Sequence, residues 1–341
     1  MSRRIPALAG SAGALALVAG LALVPAGSAA PTALAAASCT PVSNIEAIID
    51  DSGSMAGTDA DKLRVAALEL LIDTPGNEKI DLGAIEFGGQ IFSTPGEPPA
   101  ADVIFPVESI GPNAAAMKAA LKAKVNADNG LTDYNAAFAT AQAADPAAKA
   151  RIFLTDGGHD AGTYNNGHRG GPPTYVIGFS GAVTGENGAR LKQIASETGG
   201  KYFPQTDSSN LQAVMNEVGT TLTCQSPPKA FHDAFTKLSQ SDAHAVKLAS
   251  KAHSVQLTLS WSSPQDAFTI AGLRIVRHGK PVAVASRKRH LKLTKRHGST
   301  FLVIKVSNLV RGSLHFKVKP TKIGSGAPRV NLTTQVTQSR R

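Results

Sequence analysis

The chain has 341 residues, which is enough for two domains rather than one. Beyond the first forty residues no stretch approaches the length and apolarity of a membrane span, which excludes a protein that crosses the membrane several times. The net charge of +10 conceals two opposite halves. Residues 39–228 carry 12 basic and 22 acidic residues, and residues 229–341 carry 21 basic and 3 acidic residues. This change from −10 to +18 predicts a domain boundary near Pro227 and Pro228.

The first segment has the pattern of an export signal. Arg3 and Arg4 precede an apolar run rich in Ala, Leu, Val and Gly, which Pro25 ends and small residues follow. This pattern predicts a secretory signal peptide over residues 1–30, followed by a short linker over residues 31–42. A transmembrane anchor is the alternative, because the run is just long enough for a marginal span. We favour cleavage, and therefore expect a secreted or cell-surface protein.

The next segment alternates between strand-like and helix-like patterns. Predicted strands cover 45–49, 81–87, 103–105, 151–154, 174–179 and 201–203, and predicted helices cover 62–72, 113–125, 134–144, 186–198 and 210–222. This alternation predicts a doubly wound α/β domain over residues 43–224, with a mostly parallel sheet covered by helices on both faces. Ligands of such folds lie beyond the carboxyl ends of the strands, where Asp50 and Asp156 fall.

After Pro228 the pattern changes to short, β-branched, alternating segments. These lie at residues 254–261, 268–276, 281–286, 300–306, 313–318 and 330–337. Turn residues separate them, which predicts an antiparallel β-sandwich over residues 251–341. Residues 225–250 are predicted as a linker, in which 230–246 forms a helix or irregular chain.

Three loops of the predicted α/β domain carry hydroxyl and carboxylate side chains. Residues 50–54 read Asp-Asp-Ser-Gly-Ser and fit D-x-S-x-S directly after a buried strand; residues 130–133 read Gly-Leu-Thr-Asp, and residues 154–157 read Leu-Thr-Asp-Gly. In their order and strand context these segments resemble the von Willebrand factor type A family, which includes the I domains of integrins. The resemblance covers about residues 43–223.

The resemblance implies a metal-ion-dependent adhesion site formed by Asp50, Ser52, Ser54, Thr132 and Asp156. Such oxygen ligands suit Mg²⁺ or Mn²⁺. Only two carboxylates surround the ion, so a position left to water is expected to accept an Asp or Glu of a partner protein. Asp51, Asp133, His159 and Asp160 lie next to these loops and are expected to be solvent-exposed loop residues, with a role in tuning specificity as the alternative.

Neither a purely structural role for these residues nor a catalytic one accounts for the pattern as well. Taken singly, Asp50 and Ser52 are as well explained by a turn that caps the following helix, but five residues at three matching loop positions are not. A subtilisin-like protease needs a His and then a Ser after its Asp, whereas here the segment 53–56 precedes His159, the first histidine. We therefore expect no enzyme, but an exported metal-dependent adhesion or protein-binding module. The alternative is a non-catalytic accessory subunit of a cell-envelope enzyme or assembly complex.

The chain has two cysteines, one before the first predicted strand and one after the last predicted helix of the α/β domain. An exported chain meets an oxidising space, so Cys39 and Cys224 are predicted to form a disulfide; two free thiols, or a lipid on Cys39, are the alternatives.

The basic half carries clusters at Arg287-Lys288-Arg289-His290, Lys292 and Lys295-Arg296-His297. Nucleic acid is not expected, because the chain is exported and lacks the aromatic platforms of single-strand binders. The predicted partner is an anionic cell-wall polymer or lipid surface, or the acidic first domain.

Overall fold

The computed structural model describes residues 39–89, 99–126, 130–205, 208–250, 252–283, 292–309, 311–326 and 330–340. The predicted signal peptide over residues 1–30 and the basic cluster from Arg287 to His290 lie outside these residues. In the part of the chain that is described, no helix is long and apolar enough to cross a membrane.

The first domain is built on one sheet. Its described strands are β1 Asn44–Asp50, β2 Asp81–Phe87, β3 Ala101–Ser109, β4 Ala150–Thr155, β5 Thr174–Gly178 and β6 Tyr202–Pro204. Its described helices are α1 Met55–Thr58, α2 Leu63–Asp73, α3 Ile110–Lys124, α4 Tyr134–Ala144, α5 Gly185–Thr198 and α6 Leu211–Leu222, with short 3₁₀ turns at Ser180–Val183 and Ser208–Asn210. The strand order is β3-β2-β1-β4-β5-β6, and all neighbours are parallel except β2 and β3.

Strand β1 shows why this sheet is covered on both faces. It is buried from Ile45 onward, and successive side chains point to opposite faces. Ile49 packs in the cluster that contains α2 and α6 residues, whereas Ile48 packs with Phe138 of α4. The continuous apolar run in β1 therefore reflects a central parallel strand between two helical layers, and the predicted doubly wound fold is confirmed.

The second domain consists of two antiparallel sheets. Its described strands are β7 Lys229–Phe235, β8 Asp242–Lys247, β9 Ala252–Trp261, β10 Ala267–Arg277, β11 Lys280–Ala283, β12 Lys292–His297, β13 Phe301–Ser307, β14 Ser313–Lys322 and β15 Val330–Arg340. The sheet orders are β12-β13-β9-β15-β7 and β11-β10-β14-β8. The two sheets share one apolar core, in which Leu257 and Leu302 of one sheet join Phe268 and Phe316 of the other. This is the predicted all-β sandwich.

The predicted linker over residues 225–250 is wrong, because β7 and β8 lie within it and the sandwich begins at Lys229. Both strands lie at the end of their sheets among the described residues, where β7 pairs with β15 and β8 with β14. Most of their residues are exposed, and only Asp233, Phe235 and Val246 are buried, so the apolar periodicity that reveals a strand in sequence is weak. The basic segment 292–297 was likewise not predicted as a strand and forms β12.

The predicted disulfide is confirmed. Cys39 and Cys224 are bonded, with their Cα atoms 5.7 Å apart. The backbone N–H of Val42 donates to the carbonyl of Leu222 at 2.8 Å, so the chain before β1 lies directly beside the end of α6. The bond therefore joins the two ends of the first domain, at the edge of the sheet where β1 begins.

The two domains meet where the five-stranded sheet packs on α2 and α6. Leu70 of α2 forms a small buried cluster with Phe301 and Val303 of β13. Asn216 of α6 donates to Gln335 Oε1 at 2.9 Å. Neutral amides and hydroxyls supply most of the remaining contacts, and no ion pair among the described residues joins the two domains.

Candidate metal site at the carboxyl ends of the strands

The site begins with Asp50, the last residue of β1. Its side chain is fully buried and accepts hydrogen bonds from the backbone N–H of Ser52 at 2.9 Å and from Thr155 Oγ1 at 2.5 Å. Burial, and then the negative charge of Asp156, raise the pKa of Asp50 to about 7, and the hydrogen bonds oppose the rise. A carboxylate held in this way favours a proton or a cation as its neighbour.

The three predicted hydroxyls and the second carboxylate complete the cluster. Ser54 Oγ donates to Asp156 Oδ1 at 2.7 Å and lies 3.2 Å from Ser52 Oγ, and Thr132 Oγ1 donates to Ser52 Oγ at 3.3 Å. The structure thus brings together the residues that the sequence singled out, from three loops that together span more than a hundred positions of the chain. Four of them are at most 4% exposed, whereas Ser54 is exposed at the rim.

The oxygen spacing in this cluster fits a small divalent cation. Ligands of Mg²⁺ lie at 2.0–2.1 Å in an octahedron, so neighbouring ligand oxygens are about 2.9 Å apart. The side-chain oxygens of the serines, Thr132 and Asp156 lie 2.7–3.3 Å from their neighbours. Among the described residues, neither carboxylate forms an ion pair with a basic side chain. That part of the chain also holds no cluster of three or more His, Cys, Asp or Glu residues, so a metal here depends on the hydroxyls.

Glycines allow the loops to approach this closely. Gly88 has a φ of +132°, and a Cβ there would lie 2.2 Å from the backbone nitrogen of Ser52. A Cβ on Gly130 would lie 2.1 Å from the carbonyl oxygen of Gly88. The backbone N–H of Gly53 also donates to the carbonyl of Gly130 at 3.2 Å, which ties the first loop to the second.

Asp51 was expected to be a solvent-exposed loop residue, and this expectation is wrong. Its side chain is fully buried and pairs with Arg64 of α2, whose other terminal nitrogen lies 3.0 Å from Asp59 Oδ2. Asp51 Oδ2 also accepts from the backbone N–H of Asn126 at 2.7 Å. This buried network attaches the first loop to α2, and no sequence motif marks its residues as partners.

Residues after β4 hold the second loop. Asp160 Oδ1 accepts from the backbone N–H of Thr132 at 2.7 Å, and the backbone N–H of Asp160 donates to the carbonyl of Thr132 at 3.1 Å. Asp133 is buried and caps α4 by accepting from the N–H of Asn135 at 2.8 Å. Asp160 itself is exposed, as expected, but its contacts fix the position of the threonine hydroxyl in the cluster.

Two hydroxyl contacts were missed, and the expectation that His159 is solvent-exposed is wrong. Thr58 Oγ1 donates to Asp156 Oδ2, and Thr155 Oγ1 donates to Asp50, so each carboxylate has a threonine partner outside the predicted set. His159 has a nearly buried side chain, and its Nδ1 accepts from the backbone N–H of Tyr134 at 3.1 Å. Thr155 was visible in the 154–157 segment, whereas the position of Thr58, one helical turn after Ser54, offered no signal.

Comparison with known proteins gives the same assignment of the first domain. The family model of the von Willebrand factor type A domain matches residues 44–217. No curated protein matches the chain.

Similar solved structures include a von Willebrand factor type A protein from Catenulispora acidiphila, with 17% identity, a TM-score of 0.43, and coverage of 88% of this chain and 63% of that one. Another is proximal thread matrix protein 1 from the mussel byssus with a zinc-occupied MIDAS motif, at 15% identity, a TM-score of 0.43, and coverage of 59% and 50%. A third is the manganese-loaded TRAP protein of Plasmodium vivax, at 16% identity, a TM-score of 0.38, and coverage of 60% and 86%. The chain thus spans less than two thirds of the length of the first two structures.

Proposed function

The chain belongs to the von Willebrand factor type A family, and we propose that its first domain binds Mg²⁺ or Mn²⁺ and uses it to capture a protein partner. The observation that carries this proposal is the cluster of two carboxylates and three hydroxyls at the carboxyl ends of β1 and β4. The proposed ligands are Asp50, Ser52, Ser54, Thr132 and Asp156.

Each residue of the cluster has a distinct role in this proposal. Ser52 and Thr132 are buried and offer hydroxyl oxygens from two loops, while Asp50 and Asp156 supply the negative charge, directly or through metal-bound water. The bound cation supplies an electrophilic coordination position that accepts a carboxylate oxygen. Exposed Ser54 places that position at the rim, where an Asp or Glu side chain of a partner protein can reach it.

We further propose that the protein is a non-catalytic adhesion or binding module that is exported and acts at the cell surface or outside the cell. The disulfide between Cys39 and Cys224 supports this location, because such bonds persist in oxidising compartments. An accessory subunit of a cell-envelope complex would use the same cluster. Metal-dependent retention on whole cells or matrix supports the adhesion module, whereas co-purification with one envelope complex supports the accessory subunit.

Calorimetric titration with Mg²⁺ and Mn²⁺ tests the metal site. Asp156→Ala is expected to abolish binding, whereas Asp81→Ala removes an exposed carboxylate from the start of β2, at the opposite edge of the sheet, and is expected to leave it unchanged. Thr132→Ser retains the hydroxyl and should bind metal, whereas Thr132→Ala should bind it weakly. Equal affinities in the wild-type protein and Asp156→Ala would refute the assignment.

A capture experiment tests the partner chemistry. The wild-type protein and Asp156→Ala are incubated with envelope and culture material in Mg²⁺ and again in EDTA. A partner held by the metal is retained only by the wild-type protein in Mg²⁺, and replacing its acidic contact residue by the amide should release it. Retention that is the same in EDTA contradicts the proposed mode of binding.

A further inference from the structure

The interface between the domains leaves an open cleft of about 520 Å³ beside strand β12. On one side lies the turn from Pro75 to Glu78 of the first domain, and on the other lie β12 and the end of β13. The charged residues that line this cleft are Glu78, Lys292, Lys295, Arg296 and Lys305. Four cations and one carboxylate therefore share a concave surface. None of the residues that line it belongs to the hydroxyl cluster of the metal site.

Strand register aligns three of these cations in a row. Thr294 of β12 pairs with Lys305 of β13, and Arg296 pairs with Val303. Paired residues in an antiparallel sheet point to the same face, and Val303 packs against Leu70 of the first domain. Lys292, Lys305 and Arg296 thus face the first domain at successive levels about 7 Å apart, the rise of two residues along a strand.

Glu78 is the single acidic residue among the described residues that line the cleft, and its charge acts on Lys305. None of the four cations lies within salt-bridge distance of a described acidic residue, and neutral amides and hydroxyls form other hydrogen bonds between the domains. Glu78 directs one carboxylate oxygen to the backbone N–H of Gly76 at 2.8 Å. Lys305 Nζ donates to the carbonyl of Pro75 at 2.8 Å, which holds this ammonium group against the wall of the cleft.

We propose that this cleft binds a linear polyanion, whose successive anionic groups contact Lys292, Lys305 and Arg296. A cleft with walls of low dielectric focuses the positive potential, which attracts a chain of negative charges more strongly than an isolated anion. Arg296 can engage two oxygens of one phosphate or carboxylate, while the lysines act as point charges along the row. The site is separate from the proposed metal site and does not depend on it.

Binding of a linear polyphosphate by the purified protein in EDTA tests this proposal. Lys292→Gln/Arg296→Gln is expected to weaken the dissociation constant at least tenfold and to lower the slope of log Kd against log salt by about two, one for each removed cation. The matched control is Lys317→Gln/Lys319→Gln, which removes the same charge from exposed positions of β14 in the other sheet. It is expected to change the dissociation constant less than twofold.

Each outcome decides the proposal. If both double variants lose the same affinity for polyphosphate, or neither loses any, the cleft is not the binding site and net charge alone attracts the polymer. If inorganic phosphate competes equally well at the same total phosphate concentration, the proposed preference for a linear ligand is refuted. Binding of poly-L-glutamate as well as polyphosphate supports recognition of a linear charge array, whereas binding of polyphosphate alone supports it and assigns the phosphate chemistry. Asp156→Ala should bind polyphosphate like the wild-type protein, so this test and the metal test fail independently.

Discussion

The proposed metal site and the interface between the domains both bury polar side chains, but these side chains are partnered differently. At the interface the amide of Asn216 donates to Gln335 at 2.9 Å and accepts from Thr258 at 3.2 Å, so neutral groups satisfy one another. At the metal site two carboxylates lie together, and their partners among the described residues are hydroxyls and backbone N–H groups. Neutral groups form a permanent contact, whereas neighbouring carboxylates require a cation or a proton.

Removal of the disulfide is expected to give the largest loss of stability, and the bond lies away from the proposed metal site. Cys39→Ser/Cys224→Ser is expected to lower the free energy of unfolding by at most about 5 kcal/mol, because the bond closes a loop of 185 residues in the unfolded chain. The bond lies near the start of β1 and the cluster at its end, so Mg²⁺ affinity should not change. Denaturant unfolding and calorimetry check the two parts, and a loss of metal affinity in the folded variant would contradict the separation.

The buried carboxylate predicts the pH dependence of the metal-free protein. Burial raises the pKa of Asp50 from 3.8 to about 7, so the folded protein binds this proton more tightly than the unfolded chain does. The associated stability is fully present below pH 3.8 and is lost as the pH rises through 7. This contribution to the free energy of unfolding is at most roughly 4 kcal/mol, since each pKa unit corresponds to about 1.36 kcal/mol. Asp50→Asn should flatten this part of the stability profile in EDTA, and it should also abolish Mg²⁺ binding.

Glu46 provides the matched control on the same strand. It is buried at the other end of β1, where burial first, and then Asp145, raise its pKa to about 8 while Arg151 opposes the rise. Glu46→Gln should remove only the contribution of Glu46 to the pH dependence between about 4.5 and 8, and it should leave Mg²⁺ affinity intact. Identical effects of Glu46→Gln and Asp50→Asn on metal binding would show that Asp50 has no special place in the site.

Disruption of the interface between the domains is expected to cause a smaller loss of unfolding free energy and no change in Mg²⁺ affinity. Asn216→Ala leaves Gln335 and Thr258 without these partners in a buried setting, which is expected to cost about 2 kcal/mol of unfolding free energy. Thr221→Ala, on the exposed side of the same helix, is the control and should cost less than about 0.5 kcal/mol. Equal losses from both substitutions would mean that the neutral network does not hold the domains together.

The smallest expected effect concerns the positioning of Thr132. Asp160→Ala removes the acceptor for the backbone N–H of Thr132 and should weaken Mg²⁺ binding about tenfold, a magnitude typical of groups that orient metal ligands. Asp160→Asn retains an oxygen acceptor and should bind metal nearly as the wild-type protein does. Calorimetry on both variants checks this, and unchanged affinity in Asp160→Ala would show that the loop is held by other contacts.

Most of the fold was predictable from local patterns, whereas the five members of the cluster were predicted from the resemblance of three loop segments to the von Willebrand factor type A family. The strands of the first domain were recognisable because central parallel strands are continuously apolar, as in residues 45–49 and 151–154. Strands β7, β8 and β12 were missed because their mostly exposed residues carry little apolar periodicity. The burial of Asp51 was missed for another reason, since its partner Arg64 lies thirteen residues away on a helix.

The sequence by itself determined that the carboxylates of Asp50 and Asp156 meet at the end of the sheet. Asp50 and Asp156 each follow a strand, and neighbouring parallel strands end at the same edge, so local order is enough to bring them together. Only the tertiary structure decided what covers the polar face that includes Thr258 and Gln335. A period of two distinguishes the two faces of a strand but not the surroundings of the polar one, and here α6 buries it.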